Sequence, residues 1–176
     1  MAACLATPMF GAELAPGNSV WQRLERIAAA ILLPLAAIFE LILLGELLRD
    51  MAKVHPSLSG LTLLTTSISI WVTNILIFAL AYWQLDRGGP TGRNAGWRGR
   101  ADFTFPRGDP RDGVPEDWQP SFADYLALAF NTSTAFSPTD VLPLTPRGKM
   151  LMMLQSVISL ITVIAVGARA INILGS

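Results

Sequence analysis

Charge is scarce in this sequence, and reactive side chains are scarcer. Cys4 is the only cysteine and His55 the only histidine among 176 residues, which excludes an intramolecular disulfide and leaves no His- or Cys-based zinc cluster or CxxC pair. Charged residues make up 15% of the chain, with thirteen Lys plus Arg balanced by thirteen Asp plus Glu, so no net field recommends nucleic acid as a partner. No Walker loop, Rossmann fingerprint, nucleophile elbow or fixed-period repeat occurs. Without a nucleophile, base and metal constellation, the residues offer no case for an enzyme, a catalytic residue, a metal site or a cofactor. The first 20 residues lack the basic start and continuous apolar core of a secretory signal, Glu13 being their first charge. They read as a tail, within an amino-terminal segment of residues 1–26.

What the chain has instead is apolar residues, 52% of the total, gathered in blocks. That pattern points to membrane spans in an all-α protein rather than to a soluble fold. Three blocks reach the roughly 20 residues a bilayer-crossing helix needs: residues 27–48, 61–83 and 150–174. Backbone in hydrocarbon must satisfy its own hydrogen bonds, so each is expected to be a helix. Pro34 is expected to kink the first, and Tyr82 with Trp83 to mark where the second meets the headgroups.

A fourth block, "SFADYLALAFNTSTAF", offers about 12 to 14 helical residues, too few to span. Ser121 with Asp124 supplies a start signal, a hydroxyl for the free amides and an acid near the positive helix end. A short helix that stops at the polar Ser137-Pro138 break and returns to a full span suggests a re-entrant hairpin over residues 121–149. Backbone of that kind survives at membrane depth only inside protein or beside water. The chain would then have three transmembrane helices plus one re-entrant pore-type hairpin.

Residues 84–120 hold six Arg and six acids among many Gly and Pro and read as a solvated extramembrane loop. Asp109, Asp112, Glu116 and Asp117 lack the ligand order of an EF-hand. Trp97, Phe103, Phe105 and Trp118 are expected to anchor the loop to the membrane surface or to a protein neighbour.

The order of parts, a span, a loop, a short helix, a tight polar turn, "VLPLTPRGK" and a further span, resembles the pore module of the tetrameric potassium-channel superfamily. The resemblance covers about residues 61–174. Its nearest portion runs from Asp140 to Lys149, where an Asp, two apolar residues, Pro, a further apolar residue, Thr-Pro and a basic residue follow one another as they do after the family's filter. "AVGARAINIL" resembles the inner-helix ending of some bacterial channel-like chains. "ALAFNTSTAFSPTDVLPLTPRGKMLMMLQSVISL" looks closest to a group of bacterial membrane proteins related to this module, for which transport is not established. The resemblance implies a cytoplasmic (inner) membrane location in a bacterium, a homo-oligomer that would be a tetramer, lipid as the surrounding partner and monovalent cations as passing ones. It also places residues 84–149 outside, although that segment carries eight of the thirteen basic residues.

The sequence departs from the family at the filter. With Asp140 aligned to the family's terminal Asp, Thr134, Ala135, Phe136, Ser137, Pro138 and Thr139 stand where Thr-Thr-Val-Gly-Tyr-Gly would. Both glycines are missing, and they are what lets successive carbonyls turn toward one axis without steric cost. Ser137 would be strained at positive φ, and Pro138 is fixed near −65° with no N–H. A potassium-selective carbonyl ladder does not suit these residues. Two outcomes stay open. Thr132, Ser133, Thr134, Ser137 and Thr139 line a wider, weakly selective mouth with an Asp140 ring favouring cations, or the hydroxyls cap helix ends within a packed, non-conducting hairpin.

Ionisable residues inside spans are costly enough to count as functional candidates. Glu46 lies near a helix end and is expected to reach the interface, as is Arg169. Glu40 lies deepest, and pairing with Arg169 is the first expectation for it. Asn74, Gln155 and Asn172 carry amides suited to bonds between helices. Ser67, Ser69, Thr73, Ser156, Ser159 and Thr162 are expected to satisfy carbonyls of their own helices.

Overall fold

The structure, a computed structural model, describes residues 19–52, 60–94, 96, 99–106, 118–137 and 140–174; of residues 19–26, 60, 91, 94 and 169–174 it describes the backbone alone. The chain is mostly helical. In order come α1 (Ser19–Met51), α2 (Gly60–Leu85), a 3-10 turn (Asp86–Gly88), α3 (Gly89–Asn94), β1 (Phe103–Thr104), α4 (Phe122–Ala135), β2 (Leu142–Pro143) and α5 (Pro146–Leu174). Three helices are long and apolar enough to cross a membrane, over Ile27–Met51, Leu61–Gly88 and Pro146–Ala168.

Each long helix is apolar nearly all round and turns one seam inward, as a membrane helix does when lipid covers the rest. On α1 the inward seam is Ala36, Glu40, Leu44 and Leu47, while Ile31, Leu35, Ile38 and Ile42 are exposed. The spacing of four, four and three residues follows one face of a 3.6-residue helix. α2 lies at the centre, against α1, α4 and α5. Its seam runs Leu63, Ser67, Ile70, Asn74, Phe78 and Tyr82, all buried. α5 closes the bundle with Met152, Gln155, Ser159, Thr162 and Ala165.

α4 is 14 residues long, about 21 Å at 1.5 Å per residue. Its start is fixed locally, because the Ser121 backbone N–H and hydroxyl both donate to Asp124 Oδ2, at 2.7 and 2.8 Å. That is the reach-back half of a capping box. α4 begins beside the end of α2, where Phe122 meets the Trp83 ring edge-on at 5.6 Å. It ends level with the middle of α2, where Phe130 meets Trp71 at 5.9 Å and the Ser133 hydroxyl reaches Asn74. α4 therefore descends alongside α2. The chain then returns, since Thr104 and Phe103 pair antiparallel with Leu142 and Pro143, next to the end of α2. Ser159 of α5 is level with Ser133, and Arg147 is level with Asp102. Twelve residues of helix separate those levels, about 18 Å, the height between the foot of α4 and the start of α5.

The turn at the foot of α4 is made by Phe136, a left-handed residue at φ 53° and ψ 23°. Such a C-terminal stop is usually glycine, because a Cβ there crowds the following carbonyl. Ser137, which a filter-like course would hold at positive φ, is not among the positive-φ residues.

The segment after α2 is less solvated than its composition suggests. Phe103 is fully buried against Tyr82, the rings 5.1 Å apart, and Phe105 packs edge-on against Tyr125 at 5.0 Å. These two aromatics anchor the loop within the protomer, because neighbouring helix ends offer them a dry surface. Tyr82 is likewise no headgroup marker, being fully buried with its hydroxyl donating to Gln155 Oε1. Trp97 and the acids Asp109, Asp112, Glu116 and Asp117 lie outside the described residues.

Candidate functional site

Two polar centres lie along the bundle, one where the chain enters and leaves α4, the other at its foot. The upper centre is built on two buried carboxylates, Asp86 and Asp102. Asp86 Oδ1 accepts the backbone N–H groups of Asp102 and Phe103 at 2.7 and 3.3 Å, and its Oδ2 accepts the Tyr125 hydroxyl at 2.7 Å. Asp102 receives Arg147 in a two-pronged pair, Nε and Nη2 each at 2.7 Å, and also the Thr145 hydroxyl. Arg93 donates to the Trp83 and Asp86 carbonyls at 2.9 and 3.2 Å and lies over the Trp83 and Tyr125 rings. A planar guanidinium suits both tasks, since its fork matches carbonyls and its face stacks on aromatics. The turn needs its glycines: Gly89 has φ 74°, and a Cβ there would meet Gln84 Oε1 at 3.0 Å. Gly148 lets α5 start against the Asp102 carbonyl, 3.4 Å from where its Cβ would stand.

Burial, and next the Asp86 charge, push the Tyr125 phenol well above its ordinary value near 10. A phenol whose folded value is raised stabilises the fold fully below the unfolded value and loses that contribution as pH rises beyond it. Stability in mild detergent is therefore expected to fall above about pH 10 by up to ~1.4 kcal/mol per pH unit from this group. Tyr125→Phe should flatten that loss in thermal melts followed from about pH 8 to 11. An unchanged alkaline slope in the variant would remove Tyr125 as its source.

The lower centre is a cluster of uncharged side chains from three helices. Asn74 Oδ1 accepts from Ser133 Oγ at 3.1 Å and Ser159 Oγ at 3.0 Å, and the two hydroxyls are 2.7 Å apart. Gln155 Nε2 donates to the Ala129 carbonyl at 2.8 Å and to Ser133 Oγ at 3.1 Å. Asn74 and Gln155 thus bond between helices, as their amides suggest. Ser67, Ser69 and Thr162 bond to carbonyls of their own helices at 2.7, 2.8 and 2.8 Å. Ser159 departs from that expectation and joins the cluster, because α4 brings Ser133 within reach.

Glu40 completes this centre from α1. It is 1% exposed, its side chain lies against Asn74, and neither carboxyl oxygen has a hydrogen-bond partner among the described residues. Asn74 Nδ2 is also buried without one, and the amide lies next to the carboxyl. The Arg169 side chain, expected to pair with Glu40, lies outside the described residues, as does that of Asn172. Asn74 is the described group placed beside the carboxyl. Glu46 is exposed and paired with Arg49 at 2.8 Å.

The filter-like residues divide. Thr132 and Ser133 are fully buried inside the protomer, which removes them from any mouth. Thr134, Ala135, Phe136, Ser137 and Asp140 are exposed, and Pro138 and Thr139 lie outside the described residues. Thr134 Oγ1 donates to the Phe130 carbonyl at 2.8 Å, leaving its oxygen able to accept from or ligate a neighbour. Asp140 lines a small cleft with Phe105, Trp118, Asp124 and Asn131. The upper centre was not legible as a site, because the hydrogen-bond partners of its two carboxylates lie 16 to 45 residues away; a hint was two aspartates near aromatics within an otherwise Gly- and Pro-rich stretch. No protein-family model, curated protein or solved structure matches this chain.

Proposed function

We propose that this is a pore-loop, channel-like protein of a bacterial inner membrane, assembled as a homo-oligomer, a tetramer in the pore-module reading, that passes cations without selecting potassium. The observation that carries the reading is the course of α4: a 14-residue helix descends beside α2 to the level of Asn74, turns at Phe136 and returns to β2 before α5 begins. In a chain with three helices able to cross a membrane, that course supports reading the segment as a re-entrant hairpin. Its foot offers exposed Thr134 and Ser137, and the returning chain offers exposed Asp140 beside the helix, hydroxyls and a carboxylate of the kind that attract cations at channel mouths. The hairpin's outward side, with Phe130 and Phe136 at 47% and 41% exposure, and the apolar face of α5, with Met153, Val157 and Ile164, are uncovered in one protomer. Neighbouring copies would cover them.

Reconstituted liposomes should leak potassium and sodium at similar rates. Asp140→Asn should slow both roughly fivefold, the factor given by losing the ~1 kcal/mol that a unit charge exerts at about 4 Å through water. Absence of flux from the wild type, with intact oligomers, would leave the second reading, a non-conducting assembly protein. Ser137 and Thr139 favour that alternative, since they stand where the pore-module family has the glycines that let carbonyls line a pore.

A further inference from the structure

We infer that the slot between α1 and the α2–α5 pair is a binding site for one anionic glycerophospholipid, an acyl chain filling the slot and the phosphate meeting Arg147. The slot is a cleft of about 760 Å³ whose walls include Ala29, Ala30 and Ala37 of α1, Ala81 of α2 and Leu154 of α5, with Arg147 at one end. Those alanines leave room in it, because their side chains are too small to fill the gap. It runs along α1 from Ala29 to Leu41, twelve residues or about 18 Å of helix. One leaflet of hydrocarbon is about 15 Å deep, half of the ~30 Å core. The slot therefore matches a single acyl chain in length and direction, and it is too shallow for a helix that crosses both leaflets.

The ends differ in chemistry. The inner end is closed by Ile38, Leu41 and Ile77; the outer end carries Gln84, Gly88 and Arg147. Arg147 gives Nε and Nη2 to Asp102, so Nη1 is not engaged by that carboxylate, and its side chain is 56% exposed. Asp86 and Asp102 are wholly buried, whereas Arg100, Arg147 and Lys149 are exposed. The charge presented at the outer end of the slot is therefore the exposed side of the Arg147 guanidinium, a donor that selects a phosphate bearing net negative charge over a zwitterion.

The test is native mass spectrometry of the full-length protein, supplied with dioleoyl phosphatidylglycerol or dioleoyl phosphatidylcholine, which share their acyl chains. One phosphatidylglycerol should be retained per protomer, with phosphatidylcholine at least about tenfold weaker. Ala30→Phe, at an exposed wall position, should cut that retention about tenfold while the helical circular dichroism is unchanged; Ala81→Leu repeats the test from the opposite wall. Arg147→Gln should abolish the preference between the two lipids, but it also unpairs Asp102, so the slot variants decide if it fails to fold. Equal retention of the two lipids by the wild type, or undiminished phosphatidylglycerol in both slot variants, overturns the proposal. So does a slot variant that changes the number of copies per oligomer but not the lipid count, which would make a second copy of this chain the occupant.

Discussion

Asp86→Ala is expected to cost on the order of 3–5 kcal/mol of stability in mild detergent, the largest loss of any single truncation outside the spanning cores. The side chain is wholly buried and accepts from two backbone N–H groups and one phenol. Removing it strands three buried donors, each worth about 1–3 kcal/mol when left unpaired, with some of that recovered by relaxation. The Arg87 guanidinium, 3.6 Å from Oδ2, also loses its counter-charge. Asp86→Asn should lose less, because the amide oxygen still accepts the backbone donors and the phenol can turn to accept the new N–H. Tyr125→Phe removes a single bond and should cost about 1 kcal/mol. By contrast Glu46→Ala breaks a pair whose side chains are 63% and 72% exposed, and the change should stay within about 0.5 kcal/mol. Thermal melts read by intrinsic tryptophan fluorescence, with Trp83 beside the site, rank the four. An Asp86→Ala loss below about 1 kcal/mol would mean that the buried carboxylate does not hold β1 in place.

That prediction reaches function through the return path of the hairpin. Asp86 holds the backbone of Asp102 and Phe103, Phe103 pairs with Pro143, and Asp102 takes Thr145 and Arg147. The polypeptide that brings residues 136–145 back from the foot of α4 is thus tied at its far end to the end of α2. Loosening Asp86 should loosen where Asp140 stands. Flux from an Asp86→Asn protein that still folds should become variable in rate before it is lost.

The parts of this fold that could be read from the residues are those whose cause is local. Twenty apolar residues in a row force a helix through the backbone's own hydrogen bonds, and Ser121 with Asp124 caps α4 because the two are three residues apart. The foot of α4 was visible for the same reason, as a short apolar block running into a polar break. The upper centre escaped because pairings such as Asp86 with Tyr125, 39 residues apart, and Asp102 with Arg147, 45 apart, exist only after the helices have packed. A loop rich in Arg, Asp, Gly and Pro has the composition of a solvated segment, and two of its carboxylates are buried because other parts of the chain bring them donors. The left-handed stop at Phe136 escaped for a different reason, since no glycine marks it in the sequence. The helix ends where its own carbonyls run out of partners, and Phe136 happens to occupy that position.

Glu40→Leu is expected to act in the opposite direction, raising stability by about 2 kcal/mol. Glu40 stands in the α1 seam between Ala36 and Leu44, where a leucine would continue the apolar contact with α2. The carboxyl there has no hydrogen-bond partner among the described residues, and a buried polar group without one costs more than the contact it replaces. Asn74→Leu provides the comparison: it removes the acceptor shared by Ser133 and Ser159, which still have each other at 2.7 Å, and should cost about 1 kcal/mol, in line with hydrogen bonds between membrane helices. Measured together with liposome flux, the two substitutions separate a structural from a working carboxyl. A Glu40→Leu protein that gains stability and loses flux would show that the chain carries the unpaired acid for transport. One that gains stability with flux intact would place Glu40 outside the conducting path. A loss of stability would refute the unpaired state itself, because only a group that binds Glu40 in the assembled protein, from a neighbouring copy or from α5, could make its removal costly.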